Sequence, residues 1–492
     1  MWHDRGVPTD SARLHAVFDL AMRVGEGLLT NGAAASEVTA TVLRITSSSG
    51  LRNVAVQVTF DEVTISYLPD ELSAPFTRVR AASERVQDFA RLAAYEDVTF
   101  GYISGDLSLE EARHQAAAIP QEKPPYRLSL VCAGFGLLGG GAALSLGANW
   151  LVVIAATLAA ALMILVDTVL TRRRIPRFYS QALGGFLAVG VAVLLGALDP
   201  SLNPSIVVVA CIIVLLAGLT SIGAMQDAVT GWYVTAAGRI LETLMLTVGI
   251  VAGVRGGLLV ADLVGVDVSI SSAAPVSLAS VLVLVVAGAV MGLGFGVGAQ
   301  VPMRMLAAVA LVAAGSAGLS HLLSDVVDRV YAVGVASFLV GVAAVVLGDR
   351  MRAPTLVFVM GGVVPLVPGS RIYRGLLALG DAVPDGALEL FSAGEIAIGI
   401  AAGAVLGQLL ASRVVGARQI AYTPMISVPF TTMRRRRLSV GTRRRARGRD
   451  GVALVEPSTM TGEMTALSPS MLEELDPASA AGDRRTDPEE RA

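Results

Sequence analysis

The sequence predicts a multi-pass α-helical membrane protein, with ten transmembrane helices forming two inverted five-helix repeats behind a small N-terminal α+β domain. Three observations carry that prediction. Long apolar segments follow one another from Leu128 to Leu410, and the breaks between them are short and rich in Arg, Asp, Pro or Gly. Stretches such as Trp150 to Leu170 and Pro275 to Gln300 reach the roughly 20 apolar residues a helix needs to cross a hydrocarbon core about 30 Å thick. Of 492 residues, 54% are hydrophobic and 16% charged, with a mean hydropathy of +0.66, a balance that would make a soluble domain of this size aggregate.

Residues 1–127 read as the N-terminal domain. Leu14, Val17, Phe18, Leu20, Ala21, Val24 and Leu28 recur at helical spacing, and Ala34 to Thr46 offers a second helix with Ser36 and Glu37 in its first turn. Val54, Val56 and Val58, then Val63, Ile65 and Tyr67, alternate as two strands around a turn at Asp61-Glu62. Helix is expected again over 82–95 and 108–118, the latter with Ser108 as N-cap and Glu110-Glu111 at the positive end of the dipole. Pro120 to Pro125 reads as the linker. Met1 to Asp19 carries charges and no apolar run, so no secretory signal is expected and insertion falls to the transmembrane helices.

Ten spans follow, near 128–147, 150–170, 181–198, 205–223, 239–260, 275–299, 303–320, 330–348, 354–378 and 391–411, split into repeats at 128–265 and 266–411. Residues 412–492 open with Arg434 to Arg437 and Arg443 to Arg445, then turn rich in Ser, Thr, Pro and Glu, which predicts a disordered tail whose basic run lies against anionic lipid rather than nucleic acid. Arg172 to Arg174, Arg177, Arg239, Arg304, Arg350, Arg352 and the Arg tail all fall on one side of this arrangement, while the other side holds only Arg255, Arg329, Arg371 and Arg374. Both termini are therefore expected in the cytoplasm of a plasma-membrane protein.

Phe186 to Gly196 in span three lines up with Phe338 to Gly348 in span eight. The loop after the first block, Leu198-Asp199-Pro200, has no Arg, whereas Asp349-Arg350-Met351-Arg352 after the second has two, so equivalent loops lie on opposite faces. An odd span number per repeat produces that inversion, and secondary transporters recurrently place their site at such a repeat interface. Span nine contains Met360-Gly361-Gly362-Val363-Val364-Pro365-Leu366-Val367-Pro368-Gly369-Ser370, in which each proline removes a backbone donor. Such a segment is either an unwound stretch facing substrate or a proline kink. Its first-half counterpart, Gly218 to Gly223 with Ser221, has small and hydroxyl residues without the proline.

Carboxylates in apolar surroundings are the remaining candidates, because a charge at mid-bilayer is costly and usually faces the bundle interior. Asp227, Glu242 and Glu395 are placed on the ion pathway, with Glu242 one turn from Arg239 and equally able to form a plain ion pair with it. Asp167 reads as a counter-charge to the neighbouring arginines. The chain's lone lysine, Lys123, stands outside any Gly-rich phosphate loop, which removes ATP as a fuel. Cys132 and Cys211 lie in apolar segments, and the histidines are scattered, so no disulfide, metal or other cofactor is expected.

Four motifs carry a family resemblance: Leu28 to Ala33 followed by Glu37, Gly105 to Ala112, Ala182 to Phe186, and Pro365 to Ser370. Together with the architecture they resemble the threonine/serine exporter family, over the N-terminal domain and all ten spans. Ala217-Gly218 departs from the Pro-Gly of the first-half motif. The resemblance implies a proton-driven efflux carrier for small hydroxy amino acids, not an enzyme, with Gly218, Ser221, Asp227, Glu242, Pro365, Pro368, Gly369, Ser370 and Glu395 along the substrate and ion pathway. The alternatives are a membrane-anchored enzyme or regulator acting through the N-terminal domain, a passive channel, or export of other small carboxylates. A homo-oligomer is left open.

Overall fold

A computed structural model describes residues 11–69, 74–82, 86–199, 202–217, 221–264, 278–380 and 385–415. Of the basic and Ser/Pro-rich tail expected over 412–492, residues 412–415 instead continue the last helix; the rest of it, and the boundary between the two repeats at 265/266, lie outside the described residues.

The N-terminal region begins with α1 (Ser11–Thr30) and α2 (Ala35–Ser48), followed by β1 (Val54–Thr59), β2 (Glu62–Tyr67) and β3 (Phe76–Ala81), then α3 (Phe89–Ser104) and α4 (Leu109–Ala118). The strands form one antiparallel sheet in the order β1-β2-β3, with Val58 opposite Val63 and Ile65 opposite Arg78. Val58, Val63 and Ile65 point into a core filled by Phe18, Leu28, Val42 and Leu92. That is the alternation the sequence predicts for the first hairpin.

The third strand is a correction. Phe-Thr-Arg-Val-Arg-Ala alternates arginines with apolar residues at a sheet edge, so it lacks the Val/Ile run that marks a strand. Its anchor is Phe76, whose ring lies 5.0 Å from Phe18. The helix expected over 82–95 accordingly starts later, at Phe89, where the Asp88 side chain accepts the Arg91 N–H. Ser108 caps α4 as expected, and Glu111 reciprocates on the Ser108 N–H to complete a capping box.

The membrane part comprises α5 (Leu128–Ser145), α6 (Trp150–Arg172), α7 (Arg177–Leu198), α8 (Ser205–Ala217), α9 (Ser221–Val229), α10 (Tyr233–Val264), α11 (Leu278–Gly298), α12 (Met303–Ser324), α13 (Arg329–Met351), α14 (Thr355–Val363), α15 (Gly369–Gly380) and α16 (Asp385–Val415). Among the described residues eight helices are long and apolar enough to span a bilayer, and nine if the bent pair α14/α15 counts as one span. The expected span not among these is the fourth, 205–223, where α8 has 13 residues and rises only about 20 Å at 1.5 Å each. Leu151, Ile154, Leu158, Leu162 and Leu165 make an exposed apolar stripe along α6, the lipid-facing inversion of a soluble helix.

Packing follows a repeated scheme. In the first half α5 packs on α6 and α7 on α10; in the second α11 packs on α12 and α13 on α16. Small residues let these backbones touch, as they do where lipid offers no hydrophobic gain from association. A Cβ at Gly253 of α10 would sit 1.7 Å from the Ala182 carbonyl oxygen of α7, and one at Gly407 of α16 would sit 2.1 Å from the Phe338 carbonyl oxygen of α13. Between the halves α5 meets α11 reciprocally: a Cβ on Gly134 would lie 2.8 Å from the Gly294 oxygen, and one on Gly294 would lie 2.6 Å from the Gly134 oxygen.

Candidate substrate pathway

The break in the ninth segment follows from its prolines. Position 365 offers no N–H to the Gly361 carbonyl, so α14 tightens into a 3₁₀ turn at Val364–Leu366, and Pro368 keeps the helix from resuming until Gly369. The axes of the two halves differ by 53°. Ser316 of α12 donates its hydroxyl to the Gly362 carbonyl at 2.6 Å, giving a partner to an acceptor beside the break. α15 then packs on α8, so close that a Cβ at Gly369 would fall 2.2 Å from Cγ1 of Ile213. Pro368 and Gly369 are buried, and Pro365 and Ser370 half-buried. One turn on, Tyr373 is 1% exposed and its hydroxyl has no hydrogen-bond partner among the described residues. On the α8 side, Gly218 lies outside the described residues, and Ser221 opens α9.

The carboxylates are not gathered at this break. Asp227 of α9 is fully buried, as is Arg239 of α10, and the two form an ion pair. The other Asp227 oxygen accepts the Ala35 N–H at 2.9 Å, and Arg239 also donates to the Ala33 carbonyl at 3.1 Å. Asp227 therefore seals the junction with the N-terminal region, at the positive end of α2. Arg239 takes it, rather than Glu242, as its ion-pair partner. Glu242 is half-buried on α10. Glu395 is exposed, on the same outward stripe of α16 as Leu388, Phe391 and Ile398. Asp167 accepts a hydrogen bond of 2.6 Å from the Ser180 hydroxyl.

Further contacts tie the two parts together. Thr235 of α10 donates to the Val58 carbonyl at 2.9 Å, the Phe89 N–H reaches the Ala299 carbonyl at 3.0 Å, and the Tyr126 hydroxyl donates to the Val301 carbonyl at 2.9 Å. Behind the α2 terminus, Glu37 and Glu96 hydrogen-bond to each other beside Arg44. Burial pushes both carboxyls up from their ordinary range, Glu96 the further, because the Glu37 charge adds to its desolvation.

The sequence reading missed Ser316, Tyr373 and Arg239 as the partner of Asp227. Ser316 sits in Gly315-Ser316-Ala317-Gly318, a small-residue run that marks close helix approach, whereas Tyr373 gives no signal beyond following the Pro-Gly-Ser break.

Comparison with known proteins agrees with the architecture. Residues 19–261 match the family profile described as "Putative threonine/serine exporter", and residues 284–410 match a second described as "Threonine/Serine exporter, ThrE". The chain is 30% identical over 416 residues to a Mycobacterium tuberculosis protein named "Probable threonine/serine exporter", covering 82% of this chain and 78% of the relative. It is likewise 30% identical over 412 residues to the "Threonine/serine exporter" of Corynebacterium glutamicum, covering 82% of this chain and 84% of that one. No solved structure matches. A multi-pass helical chain with an N-terminal α+β region, a broken apolar segment and this similarity along most of its length belongs to the threonine/serine exporter family.

Proposed function

We propose that this chain is a proton-driven secondary transporter that exports threonine and serine from the cytoplasm, with both termini inside. The observation that carries the reading is the break at Pro365–Pro368, whose second half packs on α8. A helix break at membrane depth is tolerated where protein or a water-filled cavity surrounds it, and half-helix ends can hold the ammonium and carboxylate of an amino acid without a charged side chain.

The repeated packing scheme and the reciprocal Gly134–Gly294 contact support ten segments in two inverted halves, since a two-fold relation brings one patch against its own copy. On this reading Gly218 and Ser221 belong to the same pathway as Pro365, Pro368, Gly369 and Ser370. Glu242 and Glu395 are assigned to carry protons on this reading, as carboxylates in apolar helices; Asp227 pairs with Arg239 and accepts from Ala35.

Cells loaded with a threonine-containing dipeptide test the reading. Expression raises external threonine above the vector control, collapse of the proton gradient abolishes the rise, and Pro365→Leu with Pro368→Leu removes it while the protein stays in the membrane. Unchanged efflux in the wild-type strain overturns the export reading. Normal efflux from Glu242→Gln and Glu395→Gln under a gradient overturns the proton assignment alone.

A further inference from the structure

The N-terminal region holds a cavity of about 420 Å³, within the range of small-molecule sites, bordered by α1, β3, α3 and the end of α4. Arg23, Arg80 and Arg91 line it, with Glu26, Thr30 and Tyr95. Each guanidinium already has a carboxylate within reach: Arg23 with Asp19 at 3.0 Å, Arg80 with Glu26 at 2.9 Å, and Arg91 with Asp88 at 3.5 Å. The cavity wall is thus rich in charge of both signs rather than strongly cationic. One of its polar atoms, Thr30 Oγ1, is buried without a hydrogen-bond partner among the described residues, and Arg91 Nε reaches Asp88 only at 3.5 Å. Buried polar atoms left in that state are the exception and call for a partner.

The wall is also shaped for space. Gly27 packs against Tyr95 so closely that a Cβ there would fall 2.2 Å from the ring, and any side chain at 27 would drive the ring into the cavity. The cavity adjoins the junction with the membrane helices. Thr30 ends α1, and three residues later the Ala33 carbonyl accepts from Arg239.

We infer that this cavity is a regulatory binding site for a free α-amino acid, occupied from the same pool as the transported substrate; the identity of the ligand rests on the export reading above. The ligand carboxylate meets Arg91 and Arg23, its ammonium meets Glu26, and a side-chain hydroxyl reaches Thr30. Zwitterion recognition explains why carboxylate and guanidinium stand side by side in one wall, where a site for a dianion would omit Glu26. Occupancy orders the 30–35 segment that holds Asp227 and Arg239, and so links internal amino-acid level to the junction.

Hydrogen–deuterium exchange on the full-length chain in lipid nanodiscs tests this, with threonine and inorganic phosphate as separate probes. Threonine is expected to slow exchange of amides 27–35, and Glu26→Gln and Arg91→Gln each to raise the concentration required by about tenfold or more, as loss of a charge-assisted hydrogen bond implies. No protection by threonine, or protection unchanged in both variants, overturns the site. Protection by phosphate and not by threonine overturns the ligand class. Efflux without protection leaves the export reading standing and removes this one. Protection without efflux does the reverse, with the Glu26→Gln shift confirming where the ligand sits.

Discussion

Asp227 accepts the backbone N–H of Ala35 at 2.9 Å across 192 residues of sequence, so a carboxylate of a membrane helix caps a helix of the N-terminal region. The same carboxylate is paired with Arg239, and neither side chain is exposed. Breaking a buried pair leaves an uncompensated charge, which costs about 3–5 kcal/mol. Asp227→Asn and Arg239→Gln are each expected to lower the thermal unfolding temperature in detergent and to speed amide exchange at 33–36. The double variant should lose less than the sum of the singles, because the residues share one interaction. Additive losses in that cycle would mean the pair contributes nothing as a pair.

Gly253 and Gly407 allow backbone contact between paired membrane helices, and a side chain at either position meets a carbonyl oxygen of the neighbour. Gly253→Val and Gly407→Val should therefore abolish recovery of monodisperse protein. Gly190→Ala and Gly315→Ala meet nothing within 4 Å and should leave it intact. Size-exclusion profiles of the four variants compare them directly.

Glu37 and Glu96 give the N-terminal region a pH dependence whose sign is fixed by their upward displacement from 4.5. The folded state holds these protons more tightly than the unfolded chain, so their contribution is fully present below the unfolded value and is lost as pH rises through the folded ones. Unfolding followed from about pH 5 to about pH 8 should show that decline in the wild type and a flatter profile in Glu96→Gln, which keeps a neutral side chain throughout. Parallel profiles would contradict the upward displacement of Glu96.

Ser316→Ala removes the donor to the Gly362 carbonyl beside the proline break. A loss of about 1 kcal/mol is expected for an orphaned acceptor of this kind inside a bundle. Thermal unfolding of the Ala variant against Ser316→Thr, which retains the hydroxyl, isolates the hydrogen bond from the packing.

What could be read in the chain depended on how local the cause was. The proline break needed only the residues that make it, and Ser108 with Glu111 announces its capping box within one helical turn. β3 was hidden because Arg78 and Arg80 at a sheet edge look like loop, and the strand exists only through β2 and Phe18. Arg239 stands near Glu242 in sequence, yet its partner Asp227 approaches from the preceding helix and from the far side of a tight turn. The site carboxylates were legible as residue types in an apolar setting. Which face each occupies was not, and Glu395 turned outward shows how little helical spacing alone decides when every face of a helix is apolar.

Where carbonyl oxygens rest directly on glycines, as between Ala182 and Gly253 or Phe338 and Gly407, no layer of side chains is available to slide or change rotamer. Each of these helix couples must travel as one stiff strut. Between such struts the 53° bend at α14 and α15 is a place where the backbone itself, rather than a side-chain layer, sets the geometry.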